Sequence, residues 1–221
     1  MRPCVIIPAR YTSSRLPGKP LICLLGKPMI IWVAEIASQA VGISNVFIAT
    51  DDIRIANTVN QNGYKYIMTS SNCITGTDRV AEASLELDYD IFVNVQGDEP
   101  LVSPSDILRC IDYKIEYQDH IINSFHPINK GQDPSSINIP KVVINNSDDL
   151  IYISRSLVPG FKEISSKTDL YLKQVCIYGY NKKELLSFFQ FGGKSKIEES
   201  EDIEILRFFE LGRPIKMFKS Q

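Results

Sequence analysis

Three cations fall within ten residues of one another near the N-terminus, in the string Pro8-Ala9-Arg10-Tyr11-Thr12-Ser13-Ser14-Arg15-Leu16-Pro17-Gly18-Lys19-Pro20. Arg10, Arg15 and Lys19 alternate there with hydroxyl side chains and a glycine. A nucleoside triphosphate requires this mixture, because its oxygens need fixed positive charge together with O–H and N–H donors at close range. The string is not a Walker loop: Ser13 stands where glycine is required and Pro20 where a metal-binding Ser or Thr belongs. No G-x-G-x-x-G occurs either. Charge alone would equally describe a solvated loop.

Gln96-Gly97-Asp98-Glu99-Pro100 offers a complementary group. Gly97 and Pro100 suit a tight turn. Opposite a cationic loop, Asp98 is also a magnesium ligand, since Mg2+ takes one or two carboxylates and completes its shell with phosphate oxygens and water. Thr75-Gly76-Thr77-Asp78-Arg79 opens a helical pattern, and a helix N-terminus preceded by glycine and hydroxyls can donate N–H groups to nucleotide oxygens. Ala49-Thr50-Asp51-Asp52 closes an apolar run, where either aspartate equally suits a helix N-cap.

These strings sit where one kind of periodicity gives way to another. Short β-branched or apolar runs at Val5 to Ile7, Val46 to Ala49, Tyr64 to Met68 and Ile91 to Val95 alternate with helical patterns at Met29 to Ala37, Asp52 to Asn62 and Asp78 to Leu87. Such alternation predicts an α/β fold with a mainly parallel sheet flanked by helices, and open sheets of this kind bind ligands at strand carboxyl ends. Ser103-Pro104 predicts a helix over Ser105 to Lys114. From Phe125 to Ser166 the pattern loosens around four prolines, with short strands at Lys141 to Ile144 and Leu150 to Ile153. We read this as a small excursion, about 125–180, within one domain spanning 1–221. A strand around Val175 to Tyr180, a helix from Lys182 to Phe189 and a longer helix beginning near Ser195 and stopped at Gly212 complete the prediction.

With 221 residues, 44% hydrophobic and 23% charged, the chain has the make-up of one globular domain. A net charge of -2 gives no reason to expect nucleic acid or an anionic membrane as partner. Five scattered cysteines without a C-x-x-C pair predict a reduced, cytoplasmic protein, and His120 and His126 show no zinc-ligand spacing. No apolar stretch approaches the roughly 20 residues of a membrane helix, and Pro8 cuts short what could begin a signal peptide.

Taken whole, the string from Ile7 to Leu21 resembles the signature loop of sugar nucleotidyltransferases, in the form found in 3-deoxy-manno-octulosonate (Kdo) cytidylyltransferases and their acylneuraminate relatives. Val93 to Pro100, Thr75 to Arg79, Ala49 to Asp51 and Gly26 to Met29 extend the resemblance. It implies a nucleotide-diphospho-sugar transferase fold, and transfer of CMP from CTP to the anomeric hydroxyl of an acidic sugar, most simply Kdo, in lipopolysaccharide biosynthesis. It further implies Mg2+ as cofactor and a homodimer. By resemblance Arg10, Arg15, Lys19 and Asp98 are the catalytic residues, with Asp98 on the metal. Pro8, Ala9, Ser14, Thr75, Arg79 and Gln96 join the cations at the nucleotide, Arg79 near the cytidine.

The second half resembles the family through Lys141 to Val143, Leu150 to Arg155, Ile177 to Tyr180 and the 195–207 segment. Gln96, Arg155, Gln174, Tyr178 and Glu204 are thereby the acceptor residues. Arg155 suits a carboxylate because its guanidinium can donate two parallel hydrogen bonds, although a structural arginine would satisfy the same position. Two positions depart from the Kdo pattern: Gln174 stands for a histidine and Ile205 for a glutamine. Family members also continue beyond the last strand into a D-T-P-x-D-L segment carrying a second metal ligand, whereas the sequence here stops at Gln221. A cytidylyltransferase for another acidic sugar or a phosphonate, or a nucleotide-binding protein without catalysis, are the competing expectations.

Overall fold

The computed structural model describes residues 1–12, 16–163 and 171–221. In chain order, β1 (Pro3–Ala9) is followed by a two-strand hairpin, β2 (Cys23–Leu24) and β3 (Lys27–Pro28), then by α1 (Met29–Val41), β4 (Val46–Thr50), α2 (Ile53–Gln61) and β5 (Lys65–Met68). Next come α3 (Gly76–Ser84), β6 (Ile91–Val95), α4 (Pro104–Glu116), β7 (Ile121–Pro127), β8 (Lys141–Ile144) and β9 (Leu150–Ser154). The chain closes with β10 (Leu172–Asn181), α5 (Lys182–Gln190), α6 (Lys196–Glu201), α7 (Leu206–Glu210) and β11 (Ile215–Lys219).

The main sheet runs in the order β11-β7-β10-β6-β1-β4-β5. β1 pairs in parallel with β4 and β6, β5 with β4, and β11 with β7. β10 alone runs against its neighbours β6 and β7, so the sheet is mainly parallel, as the alternation predicts. β8 pairs with β10 and β9 with β8, which makes the excursion continuous with the sheet.

Alternate side chains serve two cores. Val5, Ile7, Val93 and Val95 pack with α1, α2 and α4, whereas Cys4, Ile6 and Phe92 pack with α3, α5 and the 203–208 segment. Strands buried on both faces read as continuous apolar runs, which is why β1, β4 and β6 are legible in the sequence.

Two features correct the prediction. The pattern near Ser195 is not one long helix: α6 ends at Glu201, Asp202 takes a left-handed conformation with φ 50°, and α7 starts at Leu206. Apolar periodicity continues through the break because Ile203, Ile205, Leu206 and Phe208 all reach the core, so the pattern cannot register it. β7 was not anticipated as a strand; Asn123, Ser124 and His126 interrupt its apolar alternation. Asn123 is nevertheless fully buried, donating through Nδ2 to Val175 O (3.0 Å) and Ile177 O (2.9 Å) where β10 bulges.

Candidate active site

The carboxyl ends of β1 and β6 and the first turn of α3 enclose a cavity of about 460 Å³, within the range of small-molecule sites. Pro8, Ala9, Arg10, Leu16, Lys19 and Pro20 form one wall, Cys73 to Gly76 with Arg79 another, and Gln96, Gly97 and Asp98 the floor between them. The structure thus brings together the cationic string, the aspartate turn and the helix start that lie far apart in sequence. Ser14 and Arg15 lie outside the described residues.

Two glycines set this geometry. Gly18 adopts φ +70° and donates its N–H to Tyr11 O at 2.8 Å, pinning the far end of the cationic loop to its near end. Tyr11 in turn lies under the Arg54 guanidinium, 3.3 Å from ring centroid to Cζ. Gly97 is demanded by close approach: a Cβ there would stand 2.9 Å from Pro8 O and 3.0 Å from Ile30 Cδ1.

Lys19 Nζ donates to Asp98 Oδ2 at 2.5 Å, so the cation and the carboxylate of the two principal strings form an ion pair at the cavity. Arg10 is exposed on the same wall. Lys27 belongs elsewhere; it pairs with Glu35 and lies 4.1 Å over the Trp32 ring.

The start of α3 is tightly organised. Thr75 caps it: its Oγ1 accepts from Asp78 N at 3.2 Å while Asp78 Oδ2 accepts from Thr75 N at 2.9 Å. The next N–H, that of Thr77, donates to Glu204 Oε2 at 3.0 Å. Two early N–H groups of the helix are therefore engaged within the protein. Arg79 is almost fully buried and donates to Thr69 Oγ1 (2.5 Å) and Asp51 Oδ2 (3.1 Å). The A-T-D string and the T-G-T-D-R string are thus joined by one ion pair.

Among the residues expected at the acceptor, Glu204 Oε1 accepts from Gln96 Nε2 at 3.1 Å. Burial pushes the Glu204 carboxyl above its ordinary range, opposed by the Thr77 N–H and hydroxyl. Gln174 Nε2 donates to Asn123 Oδ1 (3.1 Å) and approaches the Tyr178 hydroxyl (3.4 Å). Tyr178 is buried and its hydroxyl pKa is raised, first by desolvation. Arg155 is placed differently: its guanidinium donates to the carbonyls of Glu201 (2.5 Å), Ile137 (2.9 Å) and Asp202 (3.0 Å). It ties β9 to the α6–α7 break, and of the five residues expected at the acceptor only Gln96 lines the cavity, whereas Arg155, Gln174, Tyr178 and Glu204 do not.

Sequence reasoning assigned no site role to Leu16 and Pro20, which lie within the cationic string, or to Cys73 and Ile74, which immediately precede the Thr75 string, yet all four line the cavity. It also missed Asn123, the partner of Gln174, which lies in the unanticipated strand. No group of three or more His, Cys, Asp or Glu suited to a metal occurs among the described residues, and no described helix is long and apolar enough to cross a membrane.

Residues 4–215 match the family model described as cytidylyltransferase. The chain is 38% identical to the 3-deoxy-manno-octulosonate cytidylyltransferase of Escherichia coli, over 97% of this chain and 86% of that one. It is also 38% identical to the 8-amino-3,8-dideoxy-manno-octulosonate cytidylyltransferase of Shewanella pealeana, over 98% of this chain and 89% of that one. Among solved structures, CMP:2-keto-3-deoxy-manno-octonic acid synthetase complexed with CTP superposes with a TM-score of 0.91 at 37% identity, covering 99% of this chain and 90% of that one. The resemblance and the fold expected from the sequence are both borne out.

Proposed function

Since this chain belongs to the cytidylyltransferase family, we propose that its cavity transfers CMP from CTP to the anomeric hydroxyl of Kdo, giving CMP-Kdo and pyrophosphate. The observation that carries the reading is the meeting of Arg10, Lys19 and Asp98 with the α3 start in the lining of one cavity.

The acceptor oxygen attacks the α-phosphorus, the new O–P bond forms as the bond to the β-phosphate oxygen breaks, and pyrophosphate leaves in line. Such a displacement is governed by positioning and charge stabilisation. Lys19 and Arg10 neutralise the triphosphate and the charge gathering on pyrophosphate, and Arg79 with the Thr75–Gly76 turn borders the nucleoside end. Gln96, held by Glu204, faces the junction of nucleotide and acceptor, and Gln174 and Tyr178 are assigned to the sugar by the family resemblance alone.

Magnesium fits this site as a cation that arrives with the nucleotide: one exposed carboxylate, Asp98, suffices when phosphate oxygens and water complete the shell. It would supply charge neutralisation and lower the pKa of the acceptor hydroxyl. A homodimer through the 125–180 excursion is part of the same reading, supported by the exposure of Ile137 and Phe161 there.

The test is direct product analysis by mass spectrometry with CTP, Mg2+ and Kdo, against arms with ATP, GTP and UTP. CMP-Kdo from CTP alone is expected; no product with any acidic sugar would overturn the reading. Because the Shewanella relative is equally similar and Gln174 stands on the acceptor side, 8-amino-3,8-dideoxy-manno-octulosonate is the second acceptor to include.

A further inference from the structure

Behind the cavity, Arg207 is fully buried between two carboxylates. Its Nη1 donates to Asp78 Oδ1 at 2.7 Å, while its Nε and Nη2 donate to Glu198 at 2.7 and 2.8 Å. The Phe188 ring covers its face, 3.7 Å from Cζ. Asp78 is the acid of the α3 capping box, and Glu198 is the acid of the α6 capping box. One guanidinium therefore holds the first turns of two helices.

The turn at Asp202 gives this clamp a second grip. Between α6 and α7 it delivers Glu204 to Thr77 N–H on α3 and to Gln96 Nε2 after β6. The start of α3 is thus fixed at adjacent residues, Asp78 by Arg207 and Thr77 by Glu204. That same turn places Thr75, Gly76 and Arg79 on the cavity wall.

We propose that Arg207 is a positioning residue that holds the nucleotide wall of α3 and the Glu204–Gln96 pair in one register, so that CTP and the acceptor are aligned together. The inference rests on the cytidylyltransferase reading of the cavity. A planar fork can bridge two carboxylates in this way, and an ammonium cannot reproduce all of its bonds. Supporting residues of this kind fix a site to within fractions of an ångström, and a displacement of about 1 Å can cost ~100-fold in rate.

Arg207→Lys keeps the charge between the two acids and loses the fork. It is expected to lower kcat/KM at least about tenfold, with kcat falling and KM rising for both CTP and sugar, in a protein still folded at the assay temperature. Glu184→Gln, which weakens the equally buried Lys114–Glu184 pair, is the control and should lower the thermal midpoint alone. In an Glu204→Gln background the Arg207→Lys loss should shrink, because both act on the same turn. Glu198→Gln, which keeps the hydrogen-bonding shape, should shift the parameters the same way if Arg207→Lys does not fold.

Amide exchange at Thr77 and Asp78 reads the clamp without any turnover, and should quicken in Arg207→Lys but not in Glu184→Gln. A parent chain that transfers CMP to no sugar would overturn the functional reading, and the exchange measurement would still decide the clamp. Parental kinetics and parental exchange in folded Arg207→Lys, or losses no different from those of Glu184→Gln, would overturn it.

Discussion

The ammonium of Lys19 lies 2.5 Å from Asp98 Oδ2, joining the loop after β1 to the turn after β6. Both side chains are more than a third exposed, at 36% and 45%, and an ion pair so open to water contributes only about 0–1 kcal/mol to stability. The pair therefore matters for where it puts charge. Asp98→Asn keeps the shape and removes the charge, so turnover should fall at least about a hundredfold while the thermal midpoint barely moves. Pyrophosphate release at the parental rate by folded Asp98→Asn would leave Asp98 with only its turn role.

Lys19→Ala should weaken CTP binding more than CMP binding, because its ammonium is assigned to the outer phosphates. Loss of a charge-assisted contact is worth about 1.5–3 kcal/mol, readily measured by calorimetry with each nucleotide. Equal losses for CTP and CMP would move Lys19 off those phosphates. The same difference is expected for Arg15→Ala.

Gly97→Ala tests close approach instead of charge. The added methyl would meet Pro8 O at 2.9 Å, and backbone on one side with the buried Ile30 on the other leaves little room to yield. We expect a destabilisation of about 1–3 kcal/mol in urea unfolding, with activity reduced because Pro8 and Asp98 are pushed apart. Unchanged stability and rate would show that the two loops move freely past each other.

Glu204 gives a pH signature. Its carboxyl is held above the ordinary value of 4.5 by burial, so the folded chain binds that proton more tightly than the unfolded chain does. The contribution to stability is complete below 4.5 and is lost as pH rises through the raised value. Glu204→Gln has no such proton. The stability of the parent relative to Glu204→Gln should accordingly decline as pH rises above 4.5 and through the raised value. A difference that grows with pH would mean that Thr77 and Gln96 favour the anion outright.

The sequence by itself determined the parallel framework and which strings stand at its edge. Runs such as Ile91 to Val95 are apolar without interruption because both faces of the strand are buried. The strings around Lys19 and Asp98 are legible as whole strings that resemble the family's, since their charges alone would equally describe a solvated loop and Gly97 with Pro100 a tight turn. Tertiary structure decided what local pattern cannot encode. Only the pairing of β10 against β6 and β7 shows that this strand enters the sheet backwards, because side-chain alternation is the same in either direction. Only the left-handed turn at Asp202 shows that Glu204 reaches Thr77 across 127 residues of chain. The burial of Arg207 follows the same logic: an arginine in an amphipathic pattern reads as solvent-facing, and its two buried carboxylate partners come from Asp78 on α3 and Glu198 on α6, brought together by packing rather than by spacing.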